Sequence, residues 1–442
     1  MLNRTCVGAS MHTRRALLVA SVVLACCLWV DAARSKSLTL NDALSRALVA
    51  DFAVPAARAR IQGAEAGIRQ ASRPLNPSVG VEVENFGGSG AYRGFRSPET
   101  TVFFQQTIEL GNKRAARTGV ARSELDTTRA RGAVRVLDLL REVEVAWIEV
   151  IAATAQVRVA EDRLAIAQQL QSELARRSQA GRDPLYTQSR ADAQLTLEQI
   201  GVDQARAAAR IARANLAGYW RGGADFDVDL NAFENAVAAN DSKVFNVDVA
   251  VLEAERALAT ARVGLERSRA VPDPAVRVGV RHFNDTRDAA LIAGLSIPLP
   301  IFDNNSGNIE KADAERRAAE LDIASGRKAL RRELTRLQAR LVASSSEARR
   351  IQSEVIPQAQ RAVQLIREGL ERGGFSYVEF IDAQRTLNDA RLRRIEALKT
   401  FHLDNATVGR LTGRHAPRGS LQIPPGVVSQ IPPPREAGHD DC

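Results

Sequence analysis

The chain has 442 residues, a formal net charge of +9 and an aromatic content of only 5%. Because aromatic residues are so few, while Ala, Arg, Leu, Gln and Glu crowd the long middle segments, this composition argues against an ordinary compact enzyme and favours long helices packed through narrow seams. The arginines alternate with acidic residues and glutamines and form no basic stripe interleaved with aromatic residues, so we expect no nucleic-acid partner.

The positions of the cysteines and histidines do not suggest a disulfide framework, a metal site or a catalytic site. Three of the four cysteines lie before residue 30 and the fourth, Cys442, is the last residue, so neither a disulfide framework nor a cysteine metal site is expected in the body of the chain. The five histidines are scattered, and no Ser-His-Asp set, phosphate-binding glycine loop or nucleotide fingerprint is found. We therefore expect no catalytic residue, cofactor or resident metal.

The N-terminal segment reads as an export signal. Arg14 and Arg15 precede an apolar run, and small residues near Ala32 suit a signal peptidase, which predicts a signal peptide over residues 1–32. Whether translation starts at Met1 or Met11, and whether Cys26 is lipidated, both stay open. Beyond residue 33 no apolar run is long enough for a spanning helix, so any membrane crossing would use strands.

The first repeat is predicted over 38–220. A helix is expected over 38–72, with Pro55 disturbing it only locally, followed by strands at about 78–86 and 101–110. A long helical hairpin follows at about 112–218, in which Asp183 caps the return helix and Pro184 occupies its first turn.

The second repeat is predicted over 246–412, after an irregular connector at 221–245. It has a helix at about 247–270, strands at about 275–283 and 289–299, and a long helical hairpin at about 306–411. The proline-rich tail over 413–442 is expected to be disordered.

The two halves resemble each other along the chain. Gly181 and the residues after it match Gly373 and its successors at a spacing of 192, and Pro77 matches Pro274 at a spacing of 197. An internal duplication of this size predicts two structural repeats, each a strand pair followed by a helical hairpin.

The strands alternate with a period of two. Val79, Val81 and Val83 point to one face while Glu82 and Glu84 point to the other. The length and pattern suit a tilted crossing of a bilayer, but they equally suit a small antiparallel sheet that covers a water-soluble core. Four strands cannot close a barrel, so the membrane interpretation requires several copies to assemble.

This order of elements behind an export signal resembles the TolC-like outer membrane factors over about residues 38–412. Two strand-to-helix junctions, residues 106–114 and 296–308, are similar to those of the CzcC-type branch, which serves heavy-metal efflux pumps. The resemblance implies a mostly α fold with a small β part, in which a homotrimer forms a twelve-stranded barrel in outer membrane lipid and an α-helical tunnel through the periplasm.

The implied function is that of a passive conduit. By this resemblance the protein is the outer membrane component of a tripartite system with a periplasmic adaptor and an inner-membrane RND-type transporter, and it exports heavy-metal cations. Export of drugs or other small molecules is the alternative. A periplasmic adaptor would carry a single hairpin between small β domains, and an arginine-rich coiled-coil scaffold would lack the strands and the signal.

Two acidic residues match the family's periplasmic gate. Glu379 and Asp382 lie at i and i+3 on one helix face, and a threefold assembly would bring six such carboxylates together, where repulsion raises some of their pKa values. Ser376 and Glu379 also fit a capping box, so a gate, a cap or both remain open. The first repeat has Thr187 and Arg190 at the equivalent positions.

The remaining candidate residues follow from the same resemblance. The hairpin turns are expected to dock the adaptor, although glycine is also the ordinary residue after a helix end. The docking residues are Gly181, Asp183, Pro184, Gly373, Gly374 and Ser376. Glu82, Glu84, Arg277 and Arg281 would line the barrel if Val79 and Val276 face lipid.

Overall fold

The computed structural model describes residues 37–236 and 246–415. The predicted signal peptide with both candidate start residues and Cys26, residues 237–245 of the connector and the tail from 416 onward lie outside the described residues.

The described residues form mainly helices and one small sheet, which confirms the predicted fold class. The helices are α1 Leu40–Ala50, α2 Ala53–Ala71, α3 Lys113–Gln179, α4 Leu185–Gly218, α5 Asn231–Glu234, α6 Val247–Arg269, α7 Ser306–Arg350, α8 Ile356–Glu371 and α9 Tyr377–Thr412. The strands are β1 Ser78–Glu84, β2 Glu99–Thr107, β3 Ala275–Phe283 and β4 Ala289–Ser296. Within 37–236 and 246–415, no helix combines the length and hydropathy needed to cross a bilayer.

The first predicted helix is two helices. The chain leaves α1 at Ala50, and the Asp51 carboxylate accepts a hydrogen bond of 2.7 Å from the Ala53 amide at the start of α2. Pro55 then lies in the first turn of α2, where a missing N–H costs no helical hydrogen bond. The prediction of one helix over 38–72 was therefore wrong, because it overlooked a side chain that starts a new helix.

The second long helix is interrupted, unlike its counterpart α3, which runs for 67 residues. A π-helical turn at Ile351–Val355 separates α7 from α8, and Pro357 follows at once. Proline lacks an amide hydrogen and crowds the carbonyl four residues earlier, and a widened turn relieves that crowding. The first long helix of the hairpin is therefore continuous in the first repeat and interrupted in the second.

The four strands form one antiparallel sheet in the order β1-β2-β3-β4. They contain seven, nine, nine and eight residues; β3 matches its predicted range, and the other three are slightly shorter than predicted. β1 ends where Asn85 adopts a φ of 57°, and β4 ends two residues before Pro298. Because β1 and β4 are the outermost strands, each has one side without a strand partner among the described residues.

One face of the sheet is apolar and exposed. The register aligns Val79 with Phe104 and Val278 in one row, and Val81 with Val102 and Val280 in the next. Val79 is 74% exposed, and Leu291, opposite Val280 on β4, is 87% exposed. The sheet therefore does not cover a water-soluble core within the described chain.

Close packing on the opposite face explains two glycines. The Phe103 ring lies against Gly80 on β1, and a Cβ added to Gly279 on β3 would approach the Val102 carbonyl oxygen at 2.5 Å. Gly80 thus leaves room for the Phe103 ring, and Gly279 lets β3 pack closely against the backbone of β2.

The chain folds into two compact units, and each unit takes segments from both repeats. The described residues of the first unit are 37–46, 146–236 and 350–399, and those of the second are 47–145, 246–349 and 400–415. The hairpin turns belong to the first unit and the sheet to the second.

Within the second unit, cations of α3 fasten the sheet to its helices. Lys113 contacts the Asp273 carboxylate at 2.7 Å just before β3. Arg117 pairs with Glu109 and donates at 3.2 Å to the Ala71 carbonyl at the end of α2. A cation at a helix C-terminus satisfies carbonyls that the helix leaves free, so the helix end and the sheet are held together.

The C-terminal end of α9 is fixed by a half-buried arginine of the same unit. Arg410 donates to Asp138 of α3 at 2.8 Å and also pairs with Asp248 of α6. Burial acts to lower the pKa of Arg410, but its hydrogen bonds to Asp248 and Asp138 outweigh burial and raise the pKa above its usual value. The guanidinium therefore stays charged and joins three helices.

The packing around Gly279 leads to a stability prediction. We expect Gly279→Ala to destabilise the sheet by about 1–3 kcal/mol, because the new methyl group meets backbone that cannot move away. Loss of structure on heating in detergent, followed by circular dichroism, measures this. Gly294→Ala is the control, since its Cβ would meet nothing nearer than Arg277 at 3.9 Å; equal melting temperatures for the two variants would contradict the packing argument.

Candidate functional site

The two hairpin turns have the same backbone hydrogen bonds. At the first turn, Gly181 donates to Ser178 at 2.9 Å and Arg182 donates to Arg177 at 2.9 Å. The second turn has the same pair at matching positions, from Gly373 to Leu370 at 3.2 Å and from Gly374 to Gly369 at 2.8 Å. Gly181 and Gly373 have φ values of 70° and 80°, which glycine adopts without strain.

Asp183 has a different role from the predicted one. Its carboxylate does not cap α4, whose first residue follows Pro184 without any side-chain cap. It pairs with Arg177 at 2.7 Å instead. The carboxylate is drawn back toward α3 because a half-buried guanidinium offers a stronger, charge-assisted bond than free amides do.

Arg177 also joins the two turns. Its guanidinium donates at 3.2 Å to the carbonyl of Leu370, near the end of α8. Beneath it lies an apolar cluster contributed by α3, α4, α8 and α9. The buried members of this cluster are Leu170, Leu174, Ala191, Leu370, Tyr377 and Phe380. Burial raises the pKa of Tyr377, and the positive charge of Arg190 opposes that rise.

The predicted capping box is present at the start of α9. The Glu379 carboxylate accepts from the Ser376 amide at 2.7 Å and from the Ser376 hydroxyl at 2.9 Å. These bonds, the backbone one first, lower the pKa of Glu379 below its usual value. Within one chain this direction is opposite to the rise expected for a ring of six carboxylates.

Glu379 and Asp382 share the exposed face of α9, while Tyr377 and Phe380 point into the apolar cluster. The Asp382 carboxylate has no ion-pair partner in the described part of the chain. Thr187, the counterpart of Glu379 in the first repeat, is buried and uncharged. A carboxylate pair on this surface thus comes from the second repeat only.

The residues predicted to line a barrel share the polar face of the sheet. Arg277 pairs with Glu82, and Arg281 pairs with Glu84 at 2.7 Å. Arg281 also pairs at 3.0 Å with Glu99, a residue the sequence pattern did not single out. The four predicted lining residues therefore form two pairs, each between a carboxylate of β1 and an arginine of β3.

Neither region resembles a resident metal centre. Across residues 37–236 and 246–415, no group of three or more histidine, cysteine or acidic side chains is arranged to hold a metal ion.

Comparison with known proteins identifies the family. Residues 43–221 and 239–414 match the family described as outer membrane efflux protein. The chain belongs to this family. This outer membrane efflux protein is 30% identical to the cobalt-zinc-cadmium resistance protein CzcC of Cupriavidus metallidurans, over 85% of this chain and 90% of CzcC. It is 26% identical to the nickel-cobalt-cadmium resistance protein NccC of Alcaligenes xylosoxydans xylosoxydans, over 64% of this chain and 65% of NccC.

The fold agrees with that assignment. The crystal structure of the outer membrane protein VceC from Vibrio cholerae superposes with a TM-score of 0.68 at 18% identity, covering 84% of this chain and 96% of VceC. The family match and the identity to CzcC confirm the suspected TolC-like family, and this superposition agrees with it in fold. Membership of a channel family also decides against the periplasmic adaptor and the arginine-rich scaffold.

Two residues of this outer membrane efflux protein, one in each region, were missed in the sequence. Arg177 lies six residues before Asp183, outside the helical i+3 or i+4 spacing that marks a pair. Glu99 precedes the predicted start of β2, so its position opposite Glu84 could not be foreseen.

The contacts of Arg177 predict local opening of the hairpin turns. In Arg177→Ala, the Asp183 carboxylate loses its charged donor and the Leu370 carbonyl keeps only the Gly373 amide, which costs about 1–3 kcal/mol. Hydrogen exchange of the amides at 178–186 and 370–376 should therefore accelerate by roughly tenfold or more. Arg176→Ala, at the exposed neighbouring position, should leave exchange unchanged; equal acceleration in both variants would disprove the bridging role.

Proposed function

We propose that this protein is the outer membrane channel of a tripartite efflux system and a passive conduit for heavy-metal cations. It acts as a homotrimer whose strands form a twelve-stranded barrel and whose helices form a periplasmic tunnel. A periplasmic adaptor and an inner-membrane RND-type transporter complete the system, and the transporter supplies the energy.

The observation that carries this proposal is the exposed apolar face of a sheet with two open edges. In lipid every backbone N–H and C=O needs a partner, so a four-stranded sheet is stable there only if its edges are paired. Pairing β4 of one copy with β1 of the next satisfies both edges. It also joins the valine and leucine rows into a continuous apolar band.

Exposed apolar residues continue beyond the strand ends. Ile108 and Leu110 follow β2, and Ile297 and Leu299 follow β4, all between 43% and 73% exposed. Because these residues extend the apolar surface past strands of seven to nine residues, they supply the height that a bilayer core requires.

Heavy-metal cations are the favoured cargo because the relatives CzcC and NccC are named as resistance proteins for cobalt, zinc, nickel and cadmium. CzcC aligns with 85% of this chain, and the alignment covers 90% of CzcC. A conduit takes its specificity from its pump, so the cargo of this chain follows from its partner.

The hairpin turns are the proposed meeting point with the adaptor and the proposed gate. Leu185, Tyr186, Phe375 and Val378 are all exposed there, at 44% to 77%, next to the six predicted docking residues. An adaptor that covers these side chains would remove apolar surface from water. Glu379 and Asp382 lie on the same helix start and would form a cation-attracting ring around the trimer axis.

Three variants separate the gate from the cap. Asp382→Asn removes a carboxylate that takes no part in the capping box, so cation selectivity in planar bilayers should fall by roughly tenfold. Ser376→Ala breaks the cap but keeps both charges, and its selectivity should be unchanged. Glu379→Gln removes one charge and weakens the cap. If Asp382→Asn conducts like the wild type and is blocked equally by multivalent cations, there is no acidic gate.

The conduit proposal predicts passive flux and metal sensitivity. Liposomes that contain the purified protein should release Co²⁺ in proportion to its gradient and without an energy source, because the chain only provides a path. Cells that lack the gene should become sensitive to cobalt, zinc or cadmium salts. Sensitivity to drugs with unchanged metal resistance would favour the alternative cargo, and liposomes that remain impermeable would refute a conduit.

A further inference from the structure

The side chains of two arginines of β3 extend across β2 and reach carboxylates on β1. Arg277 pairs with Glu82 and Arg281 pairs with Glu84, although β2 lies between the two strands in each case. Both arginines are on the polar face, about 30% exposed, with side-chain values of 31% and 29%. The carboxylates are therefore covered by guanidinium groups rather than presented singly.

A flat surface on β2 makes the first crossing possible. The Arg277 guanidinium lies over the Phe103 ring at 3.4 Å from its centre. The ring reaches over Gly80 on β1, which has no side chain to block it. A guanidinium stacked on a ring loses less freedom on pairing than a free side chain does, so Arg277 is pre-positioned for Glu82.

The second crossing separates two like charges. Glu84 and Glu99 are direct cross-strand neighbours, an arrangement that repulsion disfavours. Arg281 pairs with both, at 2.7 Å and 3.0 Å, and its Nε donates at 3.1 Å to the hydroxyl of the fully buried Thr101. Asn85 donates to the remaining oxygen of Glu99 at 3.0 Å.

Unpaired carboxylates at these positions would bind the cargo. Two carboxylates and a hydroxyl within reach of one arginine form an oxygen cluster of the kind that divalent cations prefer. A conduit must let its cargo leave, so strong binding sites along the lining would slow or block flux.

We propose that Arg277 and Arg281 keep the lining of the pore free of cation-binding carboxylates, so that exported divalent metal ions pass without being captured. This inference rests on the proposed function, since it places the polar face of the sheet toward the pore. It assigns the two arginines a role in cargo passage in addition to their contribution to the sheet.

A purely structural role predicts something different. Ion pairs this exposed contribute little to stability, so their loss should alter melting modestly and should create no metal site. Gain of a cation site is a property that only the proposed role predicts.

The test measures Co²⁺ binding to the purified protein in detergent by equilibrium dialysis. At a low fixed concentration of free Co²⁺, Arg281→Gln should bind roughly tenfold more Co²⁺ than the wild type, through Glu84 and Glu99. Arg281→Gln combined with Glu84→Gln and Glu99→Gln should return to the wild-type value. Arg93→Gln, in the exposed loop between β1 and β2, controls for the loss of a positive charge.

A second variant and a conductance measurement test the same role of Arg281. Arg281→Lys keeps one charge and should bind an intermediate amount, which protects the test if Arg281→Gln does not fold. In planar bilayers, Co²⁺ should block Arg281→Gln at roughly tenfold lower concentration than the wild type.

The outcomes separate this inference from the proposed function. Wild-type binding levels in both Arg281 variants would overturn the role of the arginines, whatever the conductance. A wild-type protein that forms no conducting pore would instead overturn the proposed function, while the dialysis result would still show whether the arginines mask a cation site.

Discussion

The backbone N–H and C=O groups left without strand partners at the two edges of the four-stranded sheet impose the main constraint on this protein. In water, a sheet with one exposed apolar face and two open edges is prone to aggregate. In lipid, its unpaired backbone groups make it unstable unless further strands pair with both edges. Sibling copies can supply those strands without any new sequence, because β1 and β4 of the same chain end at opposite edges. The polar face, the helices fastened by Lys113 and Arg117, and the hairpin turns gain their proposed roles only once the sheet is closed.

Several arginines link different elements of the fold, which the net charge of +9 for the whole chain does not indicate. Arg177 joins the two hairpin turns, Arg410 joins three helices, and Arg277 and Arg281 cover carboxylates on the sheet. In each case a planar, multi-donor group bonds to partners from different elements, which lysine could not do as well. Arginines that alternate with acidic residues and glutamines along the sequence thus also supply the specific cross-links of the fold.

The architecture could be predicted from the sequence because it depends on local periodicity and on duplication. The alternation of Val79 to Glu84 and the matching turns at Gly181 and Gly373 are visible in single segments. The break at Asp51, the π-helical turn before Pro357 and the Asp183–Arg177 pair were not foreseen, because each depends on competition between a local signal and one particular side chain. Glu99 was missed for a further reason, since its role depends on the register between two strands.

The number of chains in the folded particle tests the central claim most directly. Native mass spectrometry of the protein released from detergent micelles should give a single trimeric species, because four strands per copy then close into a barrel without free edges. A folded monomer that persists at high protein concentration, with its helices intact, would contradict the account. In that case the exposed valine and leucine rows would have to be buried against something other than lipid, and no closed barrel would form.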